Sequence, residues 1–365
     1  MKINLASNEV IHFIGIGGIG MSGLAQIMKN MGFKIQGSDL YQNKNTERLI
    51  KLGIKVFYGH RKKNLRKATI IVISSAIKNN NNELKAARRK KLSVFKRGDM
   101  LANIVSLKKN IIITGSHGKT TTTSLVANIL VEAGLDPTVI NGGVINSFKN
   151  NAQLGKGEWA VIESDESDGS FLKLPVTYSI VTNIDREHLD YYGNFEKLKK
   201  SFHKFIEKTP SFGKSIICID NNNLKFLINK YKSKNFLTYG FNKSSNYQII
   251  NVNKNKNYSV FDINVKNSKN KIYKIKKIKI NLLGNHNISN TTAAIGIALN
   301  LGIKINIIKK ALKKFLGIQR RFTKVFSIKK REFFDDYAHH PTEIKAVIEG
   351  ARQVYINRKI VCVFQ

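Results

Sequence analysis

The stretch that most constrains this chain runs from Ile111 to Thr123 and reads IIITGSHGKTTTT. Three β-branched apolar residues lead into Gly115, Ser116, His117 and Gly118, and the chain continues through Lys119, Thr120 and Thr121 into a helix-like run ending near Leu130. A buried parallel strand delivers the chain to the edge of a sheet, where glycines let backbone N–H groups curl around an anion. The first helical turn adds unpaired N–H donors and its dipole, Lys119 adds a mobile positive charge, and the Thr120 hydroxyl can reach a magnesium ion. The pattern is a triphosphate cradle, so a nucleoside triphosphate with Mg2+ is the expected ligand. The common P-loop spacing has a further glycine at the position held here by Ile113, so this loop is shorter than usual.

At 365 residues the chain has room for about two or three domains with their own cores. Its 2 cysteines, Cys218 and Cys362, lie far apart in apolar runs and read as small core residues of a reducing compartment. The N-terminus lacks the unbroken apolar core of a signal peptide and no apolar run is long enough to span a bilayer, so a cytoplasmic protein without a membrane partner is expected. A formal charge of +38 suggests nucleic acid, but the lysines are scattered along the chain among asparagine and isoleucine. With no aromatic-interleaved recognition motif and no zinc-finger spacing, no specific nucleic-acid partner is expected.

Along the chain, a strand-like run from Val10 to Ile16 carries Gly15, Gly17 and Gly20 in Gly-x-Gly-x-x-Gly spacing, before a helix over Met21–Met31. A second strand, Phe33–Gly37, ends at Ser38 and Asp39. Taken alone this is a dinucleotide fingerprint, and an NAD-dependent oxidoreductase is what it first suggests. Physically it shows only that a diphosphate can sit on a helix N-terminus, which suits a UDP-sugar equally. A strand at Thr69–Ser74, a basic helix at Glu83–Lys91 and a closing helix within Lys96–Leu107 continue the alternation.

Beyond the triphosphate loop, a strand from Trp159 to Ile162 runs into Glu163-Ser164-Asp165-Glu166-Ser167-Asp168, and such a dense carboxylate run in an acid-poor chain suits a cation. The strand Ser179–Thr182 delivers His188 among acids, a candidate metal ligand or polar contact. From Leu237 to Leu283 the alternation suggests short antiparallel strands. Gly284-Asn285-His286-Asn287 precedes a small-residue helix at Ser289–Asn300 and a second at Ile305–Phe315. Arg320 and Arg321 could reach a phosphate. A strand at Glu332–Phe334 leads into Asp335-Asp336-Tyr337-Ala338-His339-His340-Pro341, which reads as the rim of an active site, and a final strand is expected at Lys359–Phe364.

Taken together, HFIGIGGIGMSGLA from His12, SDL at Ser38, SSAI at Ser74, GSHGKTTTT from Gly115, DPTVINGG from Asp136 and ESDESDGSFL from Glu163 resemble the Mur ligase family. So do TNIDREHLDYYG from Thr182, GNHN at Gly284, GIQRRF at Gly317 and DDYAHHPTEI from Asp335, all in the family's order. The short glycine loop is the form this family uses. The resemblance implies an α/β architecture: a Rossmann-like UDP-sugar domain at 1–107, a central P-loop ATPase-like domain at 108–320, and the start of a third Rossmann-like domain at 321–365. It implies a ligase of peptidoglycan precursor synthesis, joining L-alanine to the lactyl carboxylate of UDP-N-acetylmuramic acid with ATP through an acyl phosphate.

By the same resemblance, Gly15, Gly17, Gly18, Gly20, Ser38, Asp39 and Ser74 would hold the UDP-sugar. Gly115, Ser116, His117, Gly118, Lys119, Thr120, Thr121, Asn285, His286, Arg321 and Asp336 would hold ATP. Thr120, Glu163 and His188 would hold magnesium, Lys119 and His188 would act in catalysis, and Tyr337 and His339 would meet the amino acid. Some members carry a carbamylated lysine near Lys197, Lys199 and Lys200, none of which is assigned. A homodimer is compatible with these features. The family's third domain continues beyond the position of Gln365, which gives the expectation that this length alone binds UDP-sugar and ATP but forms little amide.

Overall fold

The computed structural model describes residues 9–231, 235–255, 257–267, 271–329 and 331–364. The first unit alternates strictly. It runs β1 (Val10–Ile14), α1 (Ile19–Asn30), β2 (Lys34–Asp39), α2 (Lys44–Lys51), β3 (Lys55–Tyr58), β4 (Ile70–Ile73), α3 (Asn82–Arg89), β5 (Ser93–Lys96) and α4 (Arg97–Val105). Its five strands form one parallel sheet in the order β3-β2-β1-β4-β5. Ile11, Phe13 and Ile14 of β1 are fully buried, as a strand covered on both faces requires. The chain leaves β1 for β2 on one side and returns to β4 on the other, so the Gly15–Gly20 turn lies where the strand order reverses, the usual place for a ligand.

The second unit comprises β6 (Lys109–Thr114), α5 (Lys119–Glu132), β7 (Thr138–Ile145), β8 (Asn150–Gln153), β9 (Trp159–Glu163), β10 (Tyr178–Val181), α6 (Leu189–Tyr192) and α7 (Phe195–Glu207). It continues with β11 (Ser215–Cys218), α8 (Asn222–Tyr231), β12 (Phe236–Gly240), β13 (Tyr247–Lys254), β14 (Ser259–Lys266), β15 (Ile272–Ile280), α9 (Asn285–Asn300) and α10 (Ile305–Lys314). One ten-stranded sheet orders these as β15-β14-β13-β12-β11-β10-β6-β9-β7-β8. β6 is central, parallel to both β10 and β9, and its Ile111, Ile112 and Ile113 are wholly buried. The second glycine loop therefore also sits at a reversal of strand order.

The run of threonines opening α5 is poor helix material by propensity, yet it is buried between the sheet and α9. Buried hydroxyls there bond back one turn, Thr122 Oγ1 to the Gly118 carbonyl and Ser124 Oγ to that of Thr120, each at 2.8 Å. α9 is rich in small residues and packs along α5, while its Gly296 lies against Tyr247 of β13 and Ile216 of β11. β13, β14 and β15 are antiparallel, as expected, whereas β12 pairs in parallel with β11 and, over a short register, with β13. Parts of the Leu237–Leu283 stretch lie outside the described residues.

The last stretch holds an antiparallel pair, β16 (Thr323–Ile328) with β17 (Arg331–Asp335), then α11 (Pro341–Val354), which packs on α9. Pro341 at the first helical turn fits its missing N–H, and the His340 ring accepts from the Thr342 N–H as the cap. The expected strand at Lys359–Phe364 does not form among the described residues: the segment has no ladder partner, and Val361, Val363 and Phe364 are exposed. Gln365 lies outside the described residues, as does the N-terminal stretch before residue 9. No helix among the described residues is long and apolar enough to cross a membrane.

Candidate active site

Gly115 has φ +129° and Gly118 φ +80°, regions that side chains rarely enter. A Cβ on Gly115 would lie 2.2 Å from Thr182 Oγ1, and one on Gly118 would lie 2.7 Å from Asn290 Oδ1. The segment after β10 braces the loop. Asn183 Oδ1 accepts from the His117 N–H at 2.8 Å, Thr182 Oγ1 donates to the His117 carbonyl at 2.6 Å, and Ser116 Oγ accepts from the Asp185 N–H at 2.8 Å. Gly118 is the N-cap of α5 and no side chain caps the helix, so its first N–H groups are left for an external acceptor.

Lys119 Nζ donates to the carbonyls of Gly115 at 2.6 Å and Ser116 at 3.1 Å, and to Glu166 Oε2 at 3.0 Å. Burial pulls this ammonium's pKa down, but Glu166, Asp165 and Glu163 outweigh it and the net shift is upward. Thr120 Oγ1 donates to Glu163 Oε1 at 2.9 Å, and the Gly142 N–H to Glu163 Oε2 at 2.5 Å. Burial pushes both Glu163 and Glu166 above the ordinary carboxylate range despite these donors. His188, in a left-handed backbone conformation, places Nε2 3.9 Å from Glu166 Oε1. Asp165, Glu166 and His188 together could hold a metal ion. A crowded set of oxygen donors with one lysine among them matches what a hard divalent cation needs.

Beside the loop is a cavity of ≈ 490 Å³, reached by His117, Gly118, Thr121, His286, Arg321 and Asp336 of the expected set. Asn287, Asn290, Asn183, Asp185, Phe322 and Glu343 line it too. Both Asp336 oxygens accept backbone N–H groups at 2.7 Å, one from Phe322 and one from Ala338, which fixes the carboxylate at the cavity wall. Asn285 does not line the cavity and is exposed on the first turn of α9. Tyr337 and His339 are also outside it, 53% and 69% exposed, with the Arg320 guanidinium 5.0 Å over the Tyr337 ring. Of the three lysines considered for modification, Lys199 pairs with Glu196, while Lys197 and Lys200 are exposed.

A junction between the loop and α11 was not foreseen. His117 Nδ1 lies 3.2 Å from Glu343 Oε1 and Nε2 lies 3.3 Å from Asp185 Oδ2, with the His340 ring 4.7 Å away. Burial lowers the His117 pKa, but Glu343, Glu187 and Asp185 raise it more. Burial works against ionised Glu343, yet His117 and Arg321 hold it down at about 2.

The first glycine loop is built differently. Gly15 has φ +84° and Gly18 caps α1 with no side-chain cap. The Gly17 N–H donates to Asp39 Oδ2 at 2.7 Å, and its carbonyl accepts from Asn45 Nδ2 at 2.8 Å. Gly20 lies near Arg97, where a Cβ would come 3.4 Å from that side chain, and Ser74 lies against Gly15. Ser38 is turned inward, its hydroxyl bonded to the fully buried Glu83 and 3.0 Å from His60 Nδ1. Glu83, one acid in a basic helix, gave no sequence signal. Burial works against its ionised form, but the His12, Ser38 and Asn64 bonds bring its pKa below the ordinary range.

Models of the Mur ligase family match three consecutive segments: the catalytic domain at residues 10–109, the middle domain at 113–298 and the glutamate ligase domain at 320–365. UDP-N-acetylmuramate–L-alanine ligase of Pelagibacter ubique is 60% identical over 365 residues, 100% of this chain and 79% of the relative. The Brucella ovis enzyme of the same name is 47% identical over 97% of this chain and 74% of its own length. Among solved structures, the UDP-N-acetylmuramate-alanine ligase of Thermotoga maritima superposes with TM-score 0.84 at 29% identity, covering 95% of this chain and 78% of that one. The UDP-N-acetylmuramate:L-alanyl-γ-D-glutamyl-meso-diaminopimelate ligase of Neisseria meningitides gives TM-score 0.76 at 26% identity, over 86% and 99% of the two chains. With its two glycine loops at strand-order reversals and relatives that span its whole length, the chain belongs to the Mur ligase family.

Proposed function

We propose that this chain is an ATP-dependent ligase that joins L-alanine to the lactyl carboxylate of UDP-N-acetylmuramic acid, in peptidoglycan precursor synthesis. The observation that carries this reading is the uncapped start of α5, with Lys119 held at it by Glu166 beside the Thr120–Glu163 pair. An incoming polyphosphate offers Lys119 and the free N–H groups a better acceptor than Glu166 does.

In the first step a carboxylate oxygen attacks the γ-phosphorus and the bond to the β-phosphate bridge breaks, giving an acyl phosphate and ADP. The alanine amine then attacks the activated carbonyl carbon, and phosphate leaves as the amide forms. Two anions must approach in the first step, so Lys119 and the loop N–H groups stabilise charge where it accumulates. Gly15, Gly17, Gly18 and Gly20 would hold the sugar's diphosphate, with Asp39 and Ser74 shaping that loop and Ser38 anchoring it from within. His286, Arg321 and Asp336, which line the cavity, would hold the nucleoside end of ATP, with Asn285 at its edge on the first turn of α9, and Tyr337 with His339 would face the amino acid. Thr120 and Glu163 would hold one magnesium ion and His188, beside Asp165 and Glu166, a second, and such ions when bound would neutralise phosphate oxygens. Holding the substrates in line supplies much of the remaining rate, since well-oriented groups react as if at about 10⁵–10⁸ M.

The test is ADP release and amide formation from UDP-N-acetylmuramic acid, ATP and L-alanine, with glycine and L-serine in parallel. ADP release dependent on the sugar nucleotide supports the reading. ATP turnover indifferent to the sugar would sink it.

A further inference from the structure

Two histidines from separate segments converge on one carboxylate. His117 Nε2 lies 3.3 Å from Asp185 Oδ2, and His340 Nδ1 lies 3.9 Å from the same oxygen. One donor atom from each of the three lies within 4.8 Å of the others. The opposite nitrogen of each ring has its own carboxylate, His117 Nδ1 3.2 Å from Glu343 Oε1 and His340 Nε2 3.8 Å from Glu187 Oε1. If Nδ1–H of His117 points at Glu343 and Nε2–H of His340 at Glu187, the two remaining nitrogens present lone pairs toward Asp185 Oδ2. Asp185 Oδ2 already accepts from the Thr342 hydroxyl at 2.9 Å, and its 3.3 Å contact with His117 Nε2 needs a cation between the two acceptors, either a proton or a metal ion. A histidine backed by a carboxylate is the usual arrangement behind a transition-metal ligand.

We propose that His117, Asp185 and His340 chelate a divalent transition ion of the zinc type, fastening the start of α11 to the phosphate loop. Two imidazoles and one carboxylate suit such an ion better than magnesium, which prefers all-oxygen shells. Metal binding releases any proton shared between His117 Nε2 and Asp185, and replaces the 3.3 Å contact from the Thr342 N–H to His340 Nδ1. The fourth coordination position is left to water or to a ligand of the adjoining cavity, which His117 and Asp185 also line. The site is separate from the Asp165–Glu166–His188 group.

Tag-free protein stripped with a chelator is titrated with Co2+, followed by the visible absorption of four-coordinate cobalt and by thermal unfolding. The expected result is one equivalent bound with an intense band and a raised Tm. Asp185→Asn and His340→Ala should each weaken binding at least about tenfold, and Glu343→Gln, which keeps all three ligands, by about 10–100-fold. His188→Ala should leave the band intact. Absence of the band, its persistence in both Asp185→Asn and His340→Ala, or its loss in His188→Ala alone would overturn the assignment. Circular dichroism of each variant separates lost ligation from lost fold.

Discussion

The two glycine loops share a plan and differ in what fills them. Each follows a buried parallel strand at a reversal of strand order, and each opens a helix whose N-cap is a glycine with no side-chain partner. In the first loop the Gly17 N–H is held by Asp39, and the supporting acid Glu83 is kept ionised by donors around it. In the second, Lys119 stands among carboxylates, of which Glu163 and Glu166 are pushed toward protonation by burial. The first loop is electrostatically settled and suits a ligand that is only held. The second has negative charge still to be matched, which suits a cation brought in with phosphates that must be bound and transferred.

The sharpest way to break the comparison is at the lysine, which the first loop lacks. Lys119→Ala should lower kcat for ADP formation by about 10²–10³-fold, the usual loss when one donor to a developing anion is removed. UDP-N-acetylmuramic acid binding by calorimetry should stay unchanged. Loss of both together would mean the loops are not separate sites.

Next come the two N-cap glycines. Gly118→Ala forces a side chain to φ +80° against Asn290 and should cost about 1–3 kcal/mol in urea unfolding. Gly18→Ala, at φ −61° with its nearest neighbour 3.6 Å away, should stay within about 1 kcal/mol. Equal losses would show that the two caps are under the same strain.

The smallest effect is a pH dependence confined to the first unit. Glu83 titrates below its ordinary 4.5 when folded, so its contribution is complete above that pH and is lost as pH falls through the lower folded value. The urea midpoint of the unaltered protein should therefore drop below pH 4.5 more steeply than that of Glu83→Gln, which starts less stable. Parallel pH profiles would show that Glu83 is not held as a carboxylate.

Sequence legibility followed the range of the interactions. Both strand–glycine–helix units could be read because their signals are local: apolar strand runs, glycines that permit positive φ, and small or periodic residues in the helices. α2 carries little apolar signal because KNTERLIK buries only Thr46 and Leu49 and leaves Ile50 exposed. β8 was missed because NNAQ is polar, although Asn151 and Ala152 are buried. Within the candidate site the gaps are long-range. Glu166 was hidden in an acidic run until the fold placed it on Lys119, and Asn290 reaches Gly118 from a distant helix. The Glu343–His117 contact joins residues 226 apart in sequence, beyond the reach of any local pattern.

Asn151 has a mechanical consequence. Its amide donates to the Ile19 carbonyl at the start of α1 at 2.9 Å, and its oxygen accepts from Arg48 of α2 at 2.7 Å. Gln26 adds a bond to the Ala152 carbonyl at 3.1 Å. The helix behind the first glycine loop is thus bolted to the sheet that carries the second, and the spacing between the two loops works as a fixed gauge. On the proposed function, a sugar nucleotide seated by its diphosphate on the first loop would be measured along its length, and its carboxylate would meet the γ-phosphate only if the molecule between them fits that gauge.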